Sequence, residues 1–288
     1  MGYRGIRIGL ALSGGGARGL AHIGVLKALE EYNIIPDIVS GCSMGAIVGA
    51  LYCSGVAPEQ IKQIFQSEHL RHQVKMKLKK PGIFEYDGLR ETLKRYFKSN
   101  SFADLKPFLH ISVANLNTGK GEIISDGDQL IEFVLASASI PVIIKPSVIN
   151  GQTYVDGGLF DNLPTETLVG HCHRIIGSHV NPTTMVADFS GMRAIVERCF
   201  QLSIDQNVRV SRGFCDYFIE PRSIRHYHLW DYAKTEEIVE LGYSTAVKVI
   251  QQFILPELTD DITDKMMKTS HNGEASQLQF QKIIGEMK

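Results

Sequence analysis

The sequence predicts an α/β fold, with a mostly parallel central sheet covered by helices on both faces. Three observations predict it. Apolar β-prone runs alternate with helix-period segments from the first residues onward. Later apolar runs are short and several are separated by helical stretches, which is the succession of layered α/β domains. A chain of 288 residues that is 44% hydrophobic and 21% charged has enough apolar residues for one sizeable core.

The opening reads βαβα: a strand in "IRIGLAL", a helix from about Arg18 to Tyr32, a strand in "PDIVSG", and a helix from about Met44. Further strands are expected in "FLHISVANL", "PVIIKPSVI" and "RIIGSHV", and helices in "DQLIEFVLASAS" and "SGMRAIVERCFQLSIDQNVRVS". "TEEIVELGYSTAVKVIQQFI" reads as a core-packing helix, because its apolar positions recur at helical spacing and its charges lie mostly at one end. There is no internal repeat. After Pro256 the composition turns polar, so residues 1–256 are expected to form the catalytic domain and 257–288 a polar tail, helical or partly disordered.

Bulk chemistry narrows the function classes. A net charge of −1 and a pI near 6.8 disfavour nucleic acid as a partner. Cys42, Cys53, Cys172, Cys199 and Cys215 are odd in number and lack CxxC spacing, which argues against a disulfide framework or a zinc site. A reducing, cytoplasmic location is expected, because the sequence has neither a signal-like apolar region nor a run approaching the roughly 18 residues of a spanning helix. Oligomeric state is not readable from these features.

Two glycine-rich corners carry the chemistry. The first, "LALSGGGARGLAHIG", follows a strand and opens a helix, and its Gly14, Gly16 and Gly19 fit the GxGxxG spacing of a dinucleotide site. That reading wants an acidic residue at the end of the next strand, where Gly41-Cys42-Ser43 stands instead. Whatever the ligand, such glycines can aim unpaired backbone amides at a small anion. Arg18 points the same way, since a cation in a first helical turn opposes the helix dipole unless an anion lies nearby. The alternative is a surface arginine facing solvent.

The second corner, "GCSMG", has the GxSxG pattern with Ser43 at a strand-to-helix turn. A serine on that elbow is exposed on strained backbone, while Gly41 and Gly45 allow close approach and the Met44 amide faces an acyl oxygen. The competing reading is an ordinary N-cap serine, although Ala46 is not the Glu or Gln of a capping box. Cys42 reads as a small buried thiol.

A base is then needed. His226 and His228 are late in the chain but lack a turn context that would aim them, and only one strand and one helix precede the elbow, unlike a Ser/His/Asp hydrolase. In "NGQTYVDGGLFDNLP", Asn150-Gly151 signals a hairpin, and Asp156 ends the following short strand directly before two glycines. A carboxylate there can take a serine proton if burial raises its proton affinity.

Together "GGGARG", "GCSMG", "ASASIP" and "DGG" resemble the patatin-like phospholipase family over about Ile6 to Pro164. The resemblance implies a patatin-like three-layer sandwich and a lipid acyl hydrolase with a Ser43–Asp156 dyad. It also implies an oxyanion site from Gly14, Gly15, Gly16 and Arg18, with no metal or organic cofactor. An acyltransferase or thioesterase using the same dyad, and a non-catalytic lipid-binding protein, remain the alternatives. The alternation of Val74, Met76 and Leu78 with Lys75, Lys77 and Lys79 would suit an anionic bilayer surface, or else a guarded edge strand.

Overall fold

A computed structural model of the chain describes residues 5–67, 87–183, 185, 188–189 and 191–259. The lysine ribbon at 72–84 and residues 260–288 of the expected polar tail lie outside the described residues.

Eight strands form one mixed sheet: β1 Ile8–Leu12, β2 Ile38–Gly41, β3 Phe108–Asn115, β4 Lys120–Ile124, β5 Ser147–Ile149, β6 Gln152–Asp156, β7 Arg174–Ser178 and β8 Tyr217–Ile219. Their order is β5-β6-β3-β2-β1-β7-β8, with β4 paired to β3. From β3 through β2, β1 and β7 to β8 the pairing is parallel, whereas β4, β5 and β6 join antiparallel. All five residues of β1 are buried, as they must be when helices cover both faces of a central parallel strand.

Seven described α-helices flank the sheet: α1 Ala21–Glu31, α2 Met44–Cys53, α3 Pro58–Gln66, α4 Asp87–Tyr96, α5 Leu130–Ser137, α6 Gly191–Arg212 and α7 Thr235–Val249. Alternate residues of β1 separate the two cores. Leu10 and Leu12 join the larger cluster with α1, α2, α5 and α7, and Ala11 joins a smaller one with Leu168, Ile204 and Val208 of the α6 side. The helices α1 and α7 make the most extensive helix pair, crossing backbone to backbone at two glycines. A Cβ on Gly24 would run into the Val239 carbonyl and the Tyr243 amide, and one on Gly242 into the Ala21 carbonyl.

Three boundaries differ from the sequence reading. The α-helix expected from Arg18 begins at Ala21, after a 3₁₀ turn over Gly16–Leu20. Within "PVIIKPSVI" only Ser147–Ile149 is strand, because Pro141 and Pro146 have no N–H for a ladder, and the residues between them form turns and an isolated bridge. The helix of α7 does not stop at Pro256. A π-turn over Ile250–Ile254 widens the backbone just before the proline, and helix continues to residue 259 with Leu258 in the core.

The crossing at Gly242 generates a test. Gly242→Ala should lower stability by about 1–3 kcal/mol through overpacking, despite alanine's better helix propensity, read as a lower urea midpoint at unchanged m. An unchanged midpoint would mean that the two helices can part at no cost.

Candidate active site

Register brings Ser43 and Asp156 together. Gly41, at the end of β2, pairs with Ile111 of β3, and Asp156, at the end of β6, pairs with Val113 two residues further along the same strand. The Asn150-Gly151 hairpin sets β6, with φ of 50° and 77° at the turn, the positive pair a tight two-residue connection demands. The sequence reading of this hairpin, and of Asp156 at its end, matches the structure.

Ser43 sits at φ 53° and ψ −123°, outside the regions open to a non-glycine residue without strain of about 1–3 kcal/mol. Its surroundings hold it there. A Cβ on Gly41 would approach the Gly45 carbonyl carbon at 2.7 Å, and one on Gly45 would strike the Leu12 carbonyl, so β1, β2 and α2 meet with no room for side chains. The Ser43 N–H donates to Ser137 Oγ at 2.9 Å, and that hydroxyl donates to the Ser112 carbonyl at 2.8 Å. No side-chain capping bond is made by Ser43, which removes the ordinary N-cap reading. Instead the hydroxyl is close enough to the Asp156 carboxyl to lower its proton affinity.

Asp156 is 2% exposed, and burial raises its pKa to about 6 against the opposing influence of the Ser43 hydroxyl and the hydrogen bonds from the Gly158 N–H and Cys42. The Gly158 N–H reaches Oδ1 at 2.8 Å and the Cys42 thiol at 3.5 Å. Burial pushes the Cys42 thiol well above its ordinary range, with Asp156 and Asp161 adding to the shift, so its thiolate is suppressed. His226 and His228 are exposed, and neither side chain hydrogen-bonds to Ser43 or Asp156 among the described residues.

The glycine loop divides its amides unequally. Gly14 N–H is occupied by the Asn162 carbonyl at 3.1 Å and Ala17 N–H by the Leu229 carbonyl at 2.8 Å. Gly14 is therefore an anchor of the loop, and the N–H groups of Gly15 and Gly16 have no protein acceptor among the described residues. A trans peptide points its C=O and N–H in opposite directions. The Gly14 carbonyl accepts from Ser13 Oγ at 3.1 Å and the Gly15 carbonyl from Arg18 N–H at 3.1 Å, which turns the next two N–H groups away, toward the cavity. The Met44 N–H at the start of α2 is likewise without a protein acceptor among the described residues. Gly19, the third glycine of the dinucleotide spacing, instead makes room for the Met44 side chain, its Cβ position lying 2.5 Å from Met44 Cγ.

Arg18 does not face solvent. Its Nε donates to the Tyr227 carbonyl and its guanidinium to Asn181 Oδ1, both at 2.7 Å. Burial lowers its pKa and Asp231 opposes that shift. Gly15, Gly16, Ser43 and Asp156 line one cavity with Asn162, Asn181 and the apolar Ile140, Pro141, Ile143, Val196, Phe200, Ile204 and Leu229. Asn181 and Leu229 carry no motif signal, since each reaches the site from a distant part of the chain, whereas Ser137 lies within "ASASIP" and Asn162 shortly after Asp156.

The chain is similar to known proteins over much of its length. The family profile described as Patatin-like phospholipase matches residues 10–169. Lysophospholipase nte1 of Neosartorya fischeri is 26% identical over 93% of this chain and 20% of its own length. Patatin-like phospholipase domain-containing protein 6 of Mus musculus is 25% identical over 92% of this chain and 22% of its own length. The chain thus spans about a fifth of the length of these curated relatives. The crystal structure of VipD from Legionella pneumophila aligns with a TM-score of 0.44 and 15% identity over 95% of this chain and 78% of that one.

The buried carboxyl at position 156 has a thermodynamic signature. Its folded pKa of about 6 lies above the ordinary 3.8, so the folded state binds more protons between those values and loses stability as pH rises through them. Asp156→Asn carries no such penalty. Its Tm relative to the parent should be higher at pH 7.5 than at pH 4.5, by thermal unfolding at both pH values, and a difference independent of pH would place the carboxyl in water.

Proposed function

The chain belongs to the patatin-like phospholipase family, and on that premise we propose that it hydrolyses acyl esters of lipids, phospholipids or lysophospholipids, with Ser43 as nucleophile and Asp156 as general base. The observation that carries this reading is a strained serine beside a buried carboxylate, both lining the polar part of a largely apolar cavity. Ser43 Oγ attacks the acyl carbon as its proton passes to Asp156. The oxyanion is met by the N–H groups of Gly15, Gly16 and Met44, with Arg18 holding the far flank of the loop. Collapse expels the alcohol portion of the lipid, which takes the proton from Asp156. Water, deprotonated by the same carboxylate, then attacks the acyl-serine ester, releasing the fatty acid and returning the proton to Ser43. No cofactor enters these steps. The lysophospholipase names of the fungal relatives support a lysophospholipid substrate.

The described residues form one catalytic unit in this reading, and five free cysteines support a reducing, cytoplasmic compartment. None of the described helices is long and apolar enough to cross a membrane. Contact with lipid is assigned to the face of α6 beside the cavity, where Met192 and Ile195 are exposed while Val196 and Phe200 of the same helix line the cavity, together with the exposed Met185 and Phe189 just before that helix. Met192→Glu combined with Ile195→Glu should slow hydrolysis of lipid presented in vesicles and spare a soluble short-chain ester. Equal loss on both substrates would remove the rim from the lipid interface.

A serine-directed fluorophosphonate should label Ser43, and Ser43→Ala should abolish both labelling and hydrolysis. Asp156→Asn should cut both by roughly 100- to 10,000-fold. Because the base works deprotonated, kcat/KM should fall tenfold per unit below pH about 6. Asp161 is also raised to about 6 by burial but bonds to Ser211, so Asp161→Asn should keep that acid limb. Full activity in Asp156→Asn with a dead His226→Ala or His228→Ala variant would overturn the dyad.

A further inference from the structure

Behind the glycine loop lies a fully buried histidine that none of these steps uses. His22 stands in the first turn of α1, with Nε2 2.8 Å from the Ser13 carbonyl oxygen and Nδ1 2.9 Å from Ser178 Oγ. A carbonyl oxygen only accepts, so Nε2 carries a proton. Burial lowers the imidazole pKa to about 4, opposed by the bond to Ser13 and assisted by nearby His179, so the ring is neutral near pH 7 and its bare Nδ1 accepts from the Ser178 hydroxyl.

The carbonyl that His22 holds belongs to the first peptide plane of the loop. The other side of that plane is the Gly14 N–H, fixed on the Asn162 carbonyl. Ser13 is also tied by its own N–H to the Ser178 carbonyl at 3.0 Å, and its Oγ takes the Val180 N–H at 3.0 Å while donating to the Gly14 carbonyl. The Ser13 hydroxyl thus sets the plane that presents the Gly15 N–H. Glycine planes have little steric preference of their own, so their direction depends on such anchors.

We propose that His22 is a positioning residue for the reaction: by donating from Nε2 to the Ser13 carbonyl and accepting from Ser178 at Nδ1, it locks the end of β1 to the end of β7 and aims the Gly15 and Gly16 N–H groups at the oxyanion. The inference rests on the oxyanion role assigned to that loop. It assigns to a buried histidine, remote from the substrate, a share in transition-state binding and none in ground-state binding.

The test uses the full chain and a soluble short-chain ester. His22→Ala should lower kcat about 100-fold with KM changed less than about twofold, the pattern of a group that acts only in the transition state. Affinity for a trifluoromethyl ketone, whose adduct with Ser43 carries an oxyanion, should fall by the same factor. His22→Gln keeps a donor near the Nε2 position and should recover to within about tenfold of the parent. If His22 only fills space, kcat per titrated site stays at the parental value while Tm falls, or the Gln variant is no better than the Ala variant, and either result overturns the proposal. Should His22→Ala fail to fold, Ser178→Ala must show the same split between kcat and KM at smaller size, and a parental kcat there overturns the proposal equally. Hydrolysis by the parent that survives Ser43→Ala would sink the nucleophile reading itself, and is measured before any His22 variant.

Discussion

Three stretches of backbone meet where no side chain fits. The Leu12 carbonyl at the end of β1, the end of β2 at Gly41 and the first turn of α2 at Gly45 are in mutual contact. That contact forces the intervening chain through a turn so tight that Ser43 takes a positive φ. The hydroxyl is pushed up over the sheet edge, the Met44 N–H is left without a protein acceptor among the described residues, and the Leu12 carbonyl stays paired to Cys42 N–H at 3.1 Å. The nucleophile's exposure to the cavity is therefore a property of main-chain packing, and the side chains around it refine a position they did not create.

The carboxylate partner is governed by the opposite kind of force. Nothing in the packing requires an acid at the end of β6, and enclosing one is unfavourable above its pKa. The site accepts that cost because a carboxylate of ordinary proton affinity would be a poor acceptor for a serine proton. Hydrogen bonds from the Gly158 N–H and Cys42, with the nearby Ser43 hydroxyl, moderate the penalty without cancelling it. The cysteine is suited to this place: it is small, apolar enough for a fully buried position, and a weak donor.

The strands and the placement of Ser43 and Asp156 were legible because their signals are local. Apolar runs marked β1, β2, β3 and β7, and Asn150-Gly151 marked the hairpin that ends in Asp156. β4 was missed because "KGEII" at a solvated edge has no apolar run to betray it. Pro256 does not end its helix, since a π-turn removes the conflict that usually makes proline a boundary. The division of labour within the glycine loop was not legible at all. That Gly14 anchors while Gly15 and Gly16 present free amides depends on Asn162, Ser178 and Leu229, and no spacing rule links residues so far apart in sequence. His22 is the extreme case, a residue of unremarkable helix context whose partners are given only by topology.

The holding of the glycine loop has a consequence for the protein's synthesis. The loop lies near the beginning of the chain, yet its carbonyl and amide partners come from Asn162, Ser178, Val180, Tyr227 and Leu229. A growing chain that has exposed Ser43, and even Asp156, still lacks β7 and the segment 227–229 that fix the loop on its far side. In the proposed reading, hydrolysis waits until Leu229 has left the ribosome, because chain domains fold as units. A truncated translation product would then carry Ser43 and Asp156 and still lack a fixed glycine loop.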